Sequence, residues 1–312
     1  MIRDRYALTT RVRGRFAPSP TGQLHFGSLV TAAGSWLQAR SAGGEWIIRI
    51  EDLDRPREIP GAARQQLETL SRFGLRSDYP IVWQSRMSAR YHAALSILLD
   101  AGLAYPCGCS RKDLPASGRY PGICRNGLGD RPPRSIRFRT AERDLVIDDR
   151  LQGQLIQSPW REGGDFVIKR ADGLIAYQLA VVVDDALAGI TEVVRGADLV
   201  DSAARQQLIY EALGWPTPSF MHLPLIVDEH GRKLSKSDSD DPIARYRPAT
   251  VLRLALRALG HEPPRGCQSL ESQWRWALSE WQFERIPRGP IAIGDHSGPA
   301  IQLKISAQPD SG

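Results

Sequence analysis

Three groups of residues in this 312-residue chain combine side-chain type and spacing in a way that chemistry can use. The first is Arg15-Phe-Ala-Pro18-Ser19-Pro-Thr-Gly22-Gln-Leu-His25-Phe-Gly27-Ser28. Two prolines and a glycine shape a turn after a short apolar stretch, and His25-x-Gly27 opens a helical pattern. A helix N-terminus presents unpaired N–H groups and a partial positive charge, so phosphate binds there readily. Gly27 lets a nucleotide approach the backbone, because a Cβ would fill that space. His25 can donate to a phosphoryl oxygen as charge builds on it. The second group, Gly231-Arg-Lys233-Leu-Ser235-Lys236-Ser237, offers ammonium groups and hydroxyls to a triphosphate. Of 41 basic residues only five are lysines, and two of those five lie three apart in this loop, so an incidental pair is a poor explanation. The third group is Cys107-Gly-Cys109 with Tyr120 and Cys124. Three thiolates suit Zn²⁺, which takes four ligands tetrahedrally. No histidine lies between positions 93 and 221, so chemistry alone favours a water or a carboxylate as the fourth ligand. Cys267 stands apart and reads as an ordinary cysteine.

The two phosphate-type loops lie about 200 residues apart, and each follows a strand-like segment. Together they resemble the HIGH and KMSKS signatures of class I aminoacyl-tRNA synthetases. Ser28 takes the fourth HIGH position and Leu234 replaces the KMSKS methionine, and neither departure removes a phosphate ligand. Flanking runs are similar to those of glutamyl-tRNA synthetases: Arg49-Ile-Glu51-Asp-Leu-Asp54, Tyr177 with Val181-Val-Val-Asp184-Asp185, and Arg195-Gly196-Ala-Asp198. The resemblance implies that Arg15 and Arg195 take the glutamate γ-carboxylate, for which the arginine fork is well shaped. Glu51 would take the α-ammonium at the carboxyl end of a strand, and Ser19 and Tyr177 would complete the pocket. It further implies ATP binding by Pro18, His25, Gly27, Ser28, Lys233, Ser235 and Lys236, with catalysis by His25, Lys233 and Lys236.

The C-x-C-x10-Y-x3-C pattern resembles the metal site of the short glutamyl-queuosine tRNA(Asp) synthetases, where tyrosine is the fourth ligand. That resemblance extends from about Arg11 to Pro248 and weakens over the tail. It implies structural Zn²⁺ on Cys107, Cys109, Tyr120 and Cys124, and Mg²⁺ arriving with ATP. It also implies activation of L-glutamate without tRNA, then esterification of queuosine at the wobble position of tRNA(Asp), the anticodon stem-loop being the partner. The alternative is a truncated glutamyl-tRNA synthetase charging the 3′ end of tRNA(Glu). A related nucleotidyltransferase would carry histidine at position 28, where this chain has Ser28. A non-catalytic zinc-stabilised RNA-binding module would have no use for both phosphate loops.

The elements that must hold these residues follow from the apolar pattern. Val12–Phe16 and Trp46–Ile50 read as strands. Helical spacing runs from Leu29 to Leu37, from Leu67 to Phe73 before Gly74, and from Tyr91 to Leu99 before Gly102. Alternation of this kind is the βαβ signature of a parallel sheet. Regular segments return at Phe166–Lys169, Tyr177–Val183, Val193–Val194, Ala203–Leu213 (a helix) and Leu223–Val227. Pro248 opens a further helix ending at Gly260, and Trp274, Trp276 and Trp281 suggest a packed cap. The expectation is an α/β, Rossmann-like catalytic domain over residues 1–102 and 164–240, interrupted by a zinc-binding, acceptor-type subdomain at 103–163. Residues 241–312 would form a helical stem-contact region. Seventy-five residues follow Ser237, fewer than a helical anticodon-binding domain needs, so none is expected.

Composition agrees. With 42% hydrophobic residues and 24% charged, the chain can bury a core of ordinary size, and its length suggests about two domains. A net charge of +6 suits a polyanionic partner. No apolar run approaches the ~20 residues of a membrane span, and Arg-studded Met1–Arg15 lacks a secretory signal. Clustered cysteines then favour metal ligation in a reducing cytoplasm. A monomer without membrane contact is expected.

Overall fold

The computed structural model describes residues 11–228, 230–231 and 243–292. The lysine loop with Lys233, Ser235 and Lys236 therefore lies outside the described residues. The first half comprises β1 (Arg13–Phe16), α1 (Phe26–Ser41), β2 (Glu45–Ile50), α2 (Ala62–Arg72) and β3 (Val82–Trp83). Helix α3 (Ser88–Asp100) leads into β4 (Ala104–Cys107), β5 (Ser135–Phe138), the hairpin β6 (Leu145–Asp149) and β7 (Gly153–Gln157), α4 (Pro159–Glu162) and β8 (Val167–Lys169). Helix α5 (Tyr177–Leu187), β9 (Glu192–Gly196), α6 (Ala203–Leu213), β10 (Ser219–Leu223) and β11 (Ile226–Val227) follow. The chain continues through α7 (Pro248–Ala258), α8 (Leu270–Glu280) and β12 (Ile291–Ala292).

Strands β1, β2 and β3 pair in parallel in that order, and β9 pairs in parallel with β10. Strand β6 joins the other side of β10, with β7 antiparallel beyond it. Arg13 lies level with Thr191, whose amide donates to its carbonyl at 3.0 Å, so β1 and β9 bring the two halves together. Side chains alternate across this layer as strand geometry demands. Ile48, Ile50, Val194 and Met221 pack with α1, α7 and α8, while Ile47, Val193 and Phe220 pack with α3, α5 and α6. Burial on both faces is what a parallel sheet requires.

Two local outcomes depend on tertiary context. The β-branched run Val181–Val183 favours strand by intrinsic preference, yet it lies within α5 with all three side chains buried. The apolar segment Leu223–Val227 is not one strand. Pro224 has no N–H to give a ladder, so β10 stops at Leu223 and the chain resumes as β11, which pairs with β12.

The tryptophans of the tail pack against the back of α1. Trp274 donates to the Phe73 carbonyl at 2.8 Å and its ring lies 4.7 Å from that of Trp36. Trp281 donates to Gln38 at 2.9 Å. Beyond the main layer, β4, β5 and β8 form an antiparallel sheet beside a small core of Tyr105, Cys107, Cys109, Tyr120 and Cys124.

Candidate active site and metal centre

The start of α1 is built for an anion. His25 is the N-cap, and its Nδ1 accepts from the Ser28 amide at 3.3 Å, which places the imidazole proton on Nε2. No acidic residue occupies the first turn of α1, so no side chain of that turn offsets its positive end. A Cβ on Gly27 would come within 3.2 Å of the His25 ring, so glycine here preserves the histidine's position as well as backbone access. The preceding turn is braced from α2: Gln66 donates to the carbonyls of Ser19 at 3.0 Å and Gly22 at 2.6 Å. Pro18, Ser19, His25, Gly27, Ser28 and Thr31 line one side of a cavity of about 170 Å³. Gly196, Asp198 and Ile226 line the other.

Next to it lies a buried cluster of charges. Arg15 on β1 and Arg195 on β9 are 3% and 4% exposed. The Pro18 carbonyl accepts from the Glu51 amide at 3.0 Å, tying the turn to the end of β2. Arg49 holds the Glu51 carboxylate at 3.0 Å and reaches Asp185 at 2.5 Å. Asp185 also accepts from Arg15 at 3.2 Å. Burial raises the pKa of Asp185, but Arg15 and Arg49 outweigh it and hold the carboxyl below its ordinary value. Burial would discharge Arg49, and the carboxylates of Asp185, Glu51 and Asp184 reverse that and raise its pKa. Glu51 is raised by burial despite Arg49. The Tyr177 phenol is also raised, first by burial and then by the charge of Glu51, which puts it in the same cluster. Arg15, Arg195, Glu51 and Tyr177 are thus brought together, while Ser19 lines the adjoining cavity.

Sequence reasoning gave Arg49 and Asp185 no role. Their signal was an arginine and an aspartate inside otherwise apolar runs, Trp46–Ile50 and Leu179–Ala186. Two aspartates near the C-terminus of α5 oppose the helix dipole, a cost offset at Asp185 by Arg15 and Arg49 and at Asp184 by hydrogen bonds from Gln84 and Tyr91, both at 2.8 Å.

The three thiols also meet. Cys107, Cys109 and Cys124 are buried with their sulfurs within 4.8 Å of one another, an arrangement that can hold a metal ion. Cys109 and Cys124 sulfurs lie 3.7 Å apart, and the Cys107 sulfur is 3.4 Å from the Tyr120 oxygen. A tetrahedral ion with bonds of about 2.3 Å to sulfur and about 2.0 Å to oxygen needs separations near 3.8 and 3.5 Å. The donor set therefore fits. Burial raises Cys124, but the Gly108 amide, the Tyr120 hydroxyl and the neighbouring thiols bring it down to about 7. Cys109 is pushed up to about 11 by burial and by hydrogen bonding with Cys124. Arg137 braces the site, donating to the Cys107 sulfur at 3.3 Å with its guanidinium carbon 3.8 Å from the Tyr120 ring centre. Between this lobe and the main body runs a cleft of about 820 Å³ whose lining includes Arg57, Arg111, Arg134, Arg137 and Arg170.

Comparison with known proteins agrees with this geometry. The family described as tRNA synthetases class I (E and Q), catalytic domain, matches residues 11–119 and 124–260. A glutamyl-Q tRNA(Asp) synthetase from Chromobacterium violaceum is 51% identical over 289 residues, covering 90% of this chain and 97% of the relative. One from Ectopseudomonas mendocina is 49% identical, with the same coverage, 90% and 97%. Among solved structures, a glutamate tRNA ligase from Elizabethkingia meningosepticum in complex with its amino acid superposes with a TM-score of 0.75. It is 27% identical, and the match covers 90% of this chain and 67% of that one.

Proposed function

The chain belongs to the glutamyl-Q tRNA(Asp) synthetase family of class I tRNA synthetases, and on that premise we propose that it activates L-glutamate with ATP, without tRNA, and transfers the glutamyl group to the cyclopentenediol of queuosine at the wobble position of tRNA(Asp). The observation that carries this reading is the juxtaposition of an anion-binding helix start with a buried pocket of two arginines and one carboxylate. Pro18, His25, Gly27 and Ser28 take the nucleotide, together with Lys233, Ser235 and Lys236. Arg15 and Arg195 take the γ-carboxylate, Glu51 takes the α-ammonium, and Ser19 and Tyr177 complete the pocket by hydrogen bonding.

The glutamate α-carboxylate attacks the α-phosphorus of ATP in line, forming a mixed anhydride as pyrophosphate leaves. The His25 Nε2–H and the amides of α1 stabilise the phosphoryl oxygens, and Lys233 and Lys236 hold the departing pyrophosphate. Mg²⁺ arriving with ATP would supply charge neutralisation on the phosphates. A queuosine hydroxyl then attacks the anhydride carbonyl and AMP departs. The cis-diol on a five-membered ring resembles the ribose diol at a tRNA 3′ end, so one centre serves this acceptor without new catalytic groups.

Structural Zn²⁺ would be held by Cys107, Cys109, Tyr120 and Cys124, tying the lobe to the strand that carries Arg137. Residues 1–102 and 164–240 make up the catalytic unit in this reading, 103–163 the zinc-binding insert, and 241–312 the stem-contacting region, with β6 and β7 of the insert's stretch joining the main layer on β10 and β8 joining the insert's sheet on β5. The arginine-lined cleft beside the lobe suits the phosphates of an RNA hairpin. No helix among the described residues is long and apolar enough to cross a membrane. The tRNA-directed activity of this reading is that of a cytoplasmic enzyme. The test is glutamate-dependent ATP–pyrophosphate exchange in the absence of tRNA. Exchange that Lys236→Ala cripples is the expected result, and no exchange from metal-replete protein would contradict the proposal.

A further inference from the structure

Arg195 is held from behind. A guanidinium has five N–H groups, and three of those on Arg195 are engaged within the protein. Nε donates to Nε2 of His222 at 3.0 Å, Nη1 to Gln206 at 2.8 Å and Nη2 to the Leu199 carbonyl at 3.2 Å. Behind His222 stands Asp149, its Oδ2 2.5 Å from Nδ1, and both side chains are 0% exposed. Asp149 is itself fixed, its Oδ1 accepting from the amides of Leu151 at 3.0 Å and Gln152 at 2.8 Å. A carboxylate can only accept, so the imidazole proton sits on Nδ1 and leaves Nε2 as an acceptor facing Arg195. Burial lowers the His222 pKa and the Arg195 charge adds to this, against the opposing pull of Asp149, which keeps the ring neutral. A doubly protonated ring would set an N–H against the arginine N–H and lose the bond.

We propose that Asp149 and His222 are positioning residues for amino-acid selection: the chain Asp149–His222–Arg195 fixes the imidazole tautomer and the guanidinium plane, leaving two N–H groups for the γ-carboxylate. This rests on the reading that Arg195 is a γ-carboxylate ligand. The two remaining groups are donors only, so a carboxylate satisfies both while a glutamine side chain would turn its own N–H₂ against one of them. Loosening Arg195 therefore weakens glutamate binding and the preference for glutamate over glutamine together, and leaves the ATP site unaffected.

The test is ATP–pyrophosphate exchange at varied glutamate and varied ATP for His222→Phe, His222→Gln, Asp149→Asn and Arg195→Gln. His222→Phe keeps a flat ring but removes the acceptor, stranding a buried donor, and should raise the glutamate KM about tenfold or more, with the ATP KM within about twofold. His222→Gln restores an acceptor at the reach of Nε2 and should recover most of the loss. Asp149→Asn can donate to Nδ1, which would force the wrong tautomer and reproduce the His222→Phe defect. An unchanged glutamate KM in His222→Phe, or equal losses for ATP and glutamate that His222→Gln does not rescue, overturns the inference. Arg195→Gln separates the two layers. If it leaves the glutamate KM unchanged, the ligand assignment itself fails; if it raises that KM while His222→Phe does not, only the positioning chain fails.

Discussion

Arg15, Arg49 and Arg195 are 3%, 1% and 4% exposed, and each is fixed by partners from elsewhere in the chain. Arg57, Arg111, Arg134 and Arg170, in the cleft beside the cysteine lobe, stand in solvent. Both regions are arginine-rich, but burial makes them different instruments. A buried guanidinium acts at low effective dielectric and must be matched by carboxylates and acceptors, so it can read one small ligand by geometry. An exposed one is screened within about 10 Å at ordinary salt, so it attracts any phosphate backbone and discriminates little. In the function we propose, the first region selects the amino acid and the second gathers the RNA.

Breaking the matched charges of the buried region should have the largest effect. Asp185→Leu removes the carboxylate shared by Arg15 and Arg49 and leaves two buried guanidinium groups short of a partner. A loss of about 3–5 kcal/mol in denaturant unfolding is expected, with exchange activity abolished. A loss below about 1 kcal/mol would mean that water reaches these arginines.

The metal lobe provides the next test. Arg137 touches both the Cys107 sulfur and the Tyr120 ring, and partners behind a metal ligand typically govern affinity by about 10–100-fold. Arg137→Met should weaken zinc affinity by about tenfold or more in competition with a chromophoric chelator, while one zinc per chain still binds at saturation. Unchanged affinity would place Arg137 outside the site.

The exposed region should respond to salt. Between about 50 and 200 mM salt the KM for tRNA should rise roughly tenfold or more, while the KM for glutamate in exchange should stay within about twofold. The double variant Arg111→Glu with Arg134→Glu should raise the tRNA KM about tenfold and reduce its salt slope, with exchange unchanged. Equal salt dependence for both substrates would erase the distinction between the regions.

The smallest effect is on stability against pH. His222 and His261 are held neutral chiefly by burial, and their folded pKa values lie below the ordinary 6.5. Below that pH the unfolded chain binds more protons than the folded one. Stability is therefore complete above pH 6.5 and declines as pH falls through the folded-state values. Denaturant unfolding from pH 7.5 to 5.5 should show the decline, and His222→Gln should flatten part of it. Stability that grows on acidification would contradict the buried neutral state.

The sequence made some of this legible and hid the rest for a physical reason. The start of α1 and the cysteine cluster are local: their residues lie within a few turns of one another, so spacing alone brings His25 to Ser28 and Cys107 to Cys109. The charge matching is not local. Arg49 meets Asp185 across 136 residues and His222 meets Asp149 across 73, contacts that only the closed sheet creates. A lone histidine on an apolar strand carries no pattern of its own. The helix through Val181–Val183 was equally hidden, since its β-branched residues favour strand and burial on all sides decides otherwise. Break of the Leu223–Val227 segment was visible in Pro224, a residue whose effect is local.

One comparison tests directly whether the buried region selects glutamate while the exposed region presents a modified anticodon to it. Purified enzyme is given radiolabelled glutamate, ATP and, in parallel, tRNA(Asp) containing queuosine, tRNA(Asp) lacking it, and tRNA(Glu). The account predicts label on queuosine-containing tRNA(Asp) alone, and still there after the 3′-terminal adenosine has been removed from that tRNA. Label on tRNA(Glu), or equal label on tRNA(Asp) with and without queuosine, would contradict it.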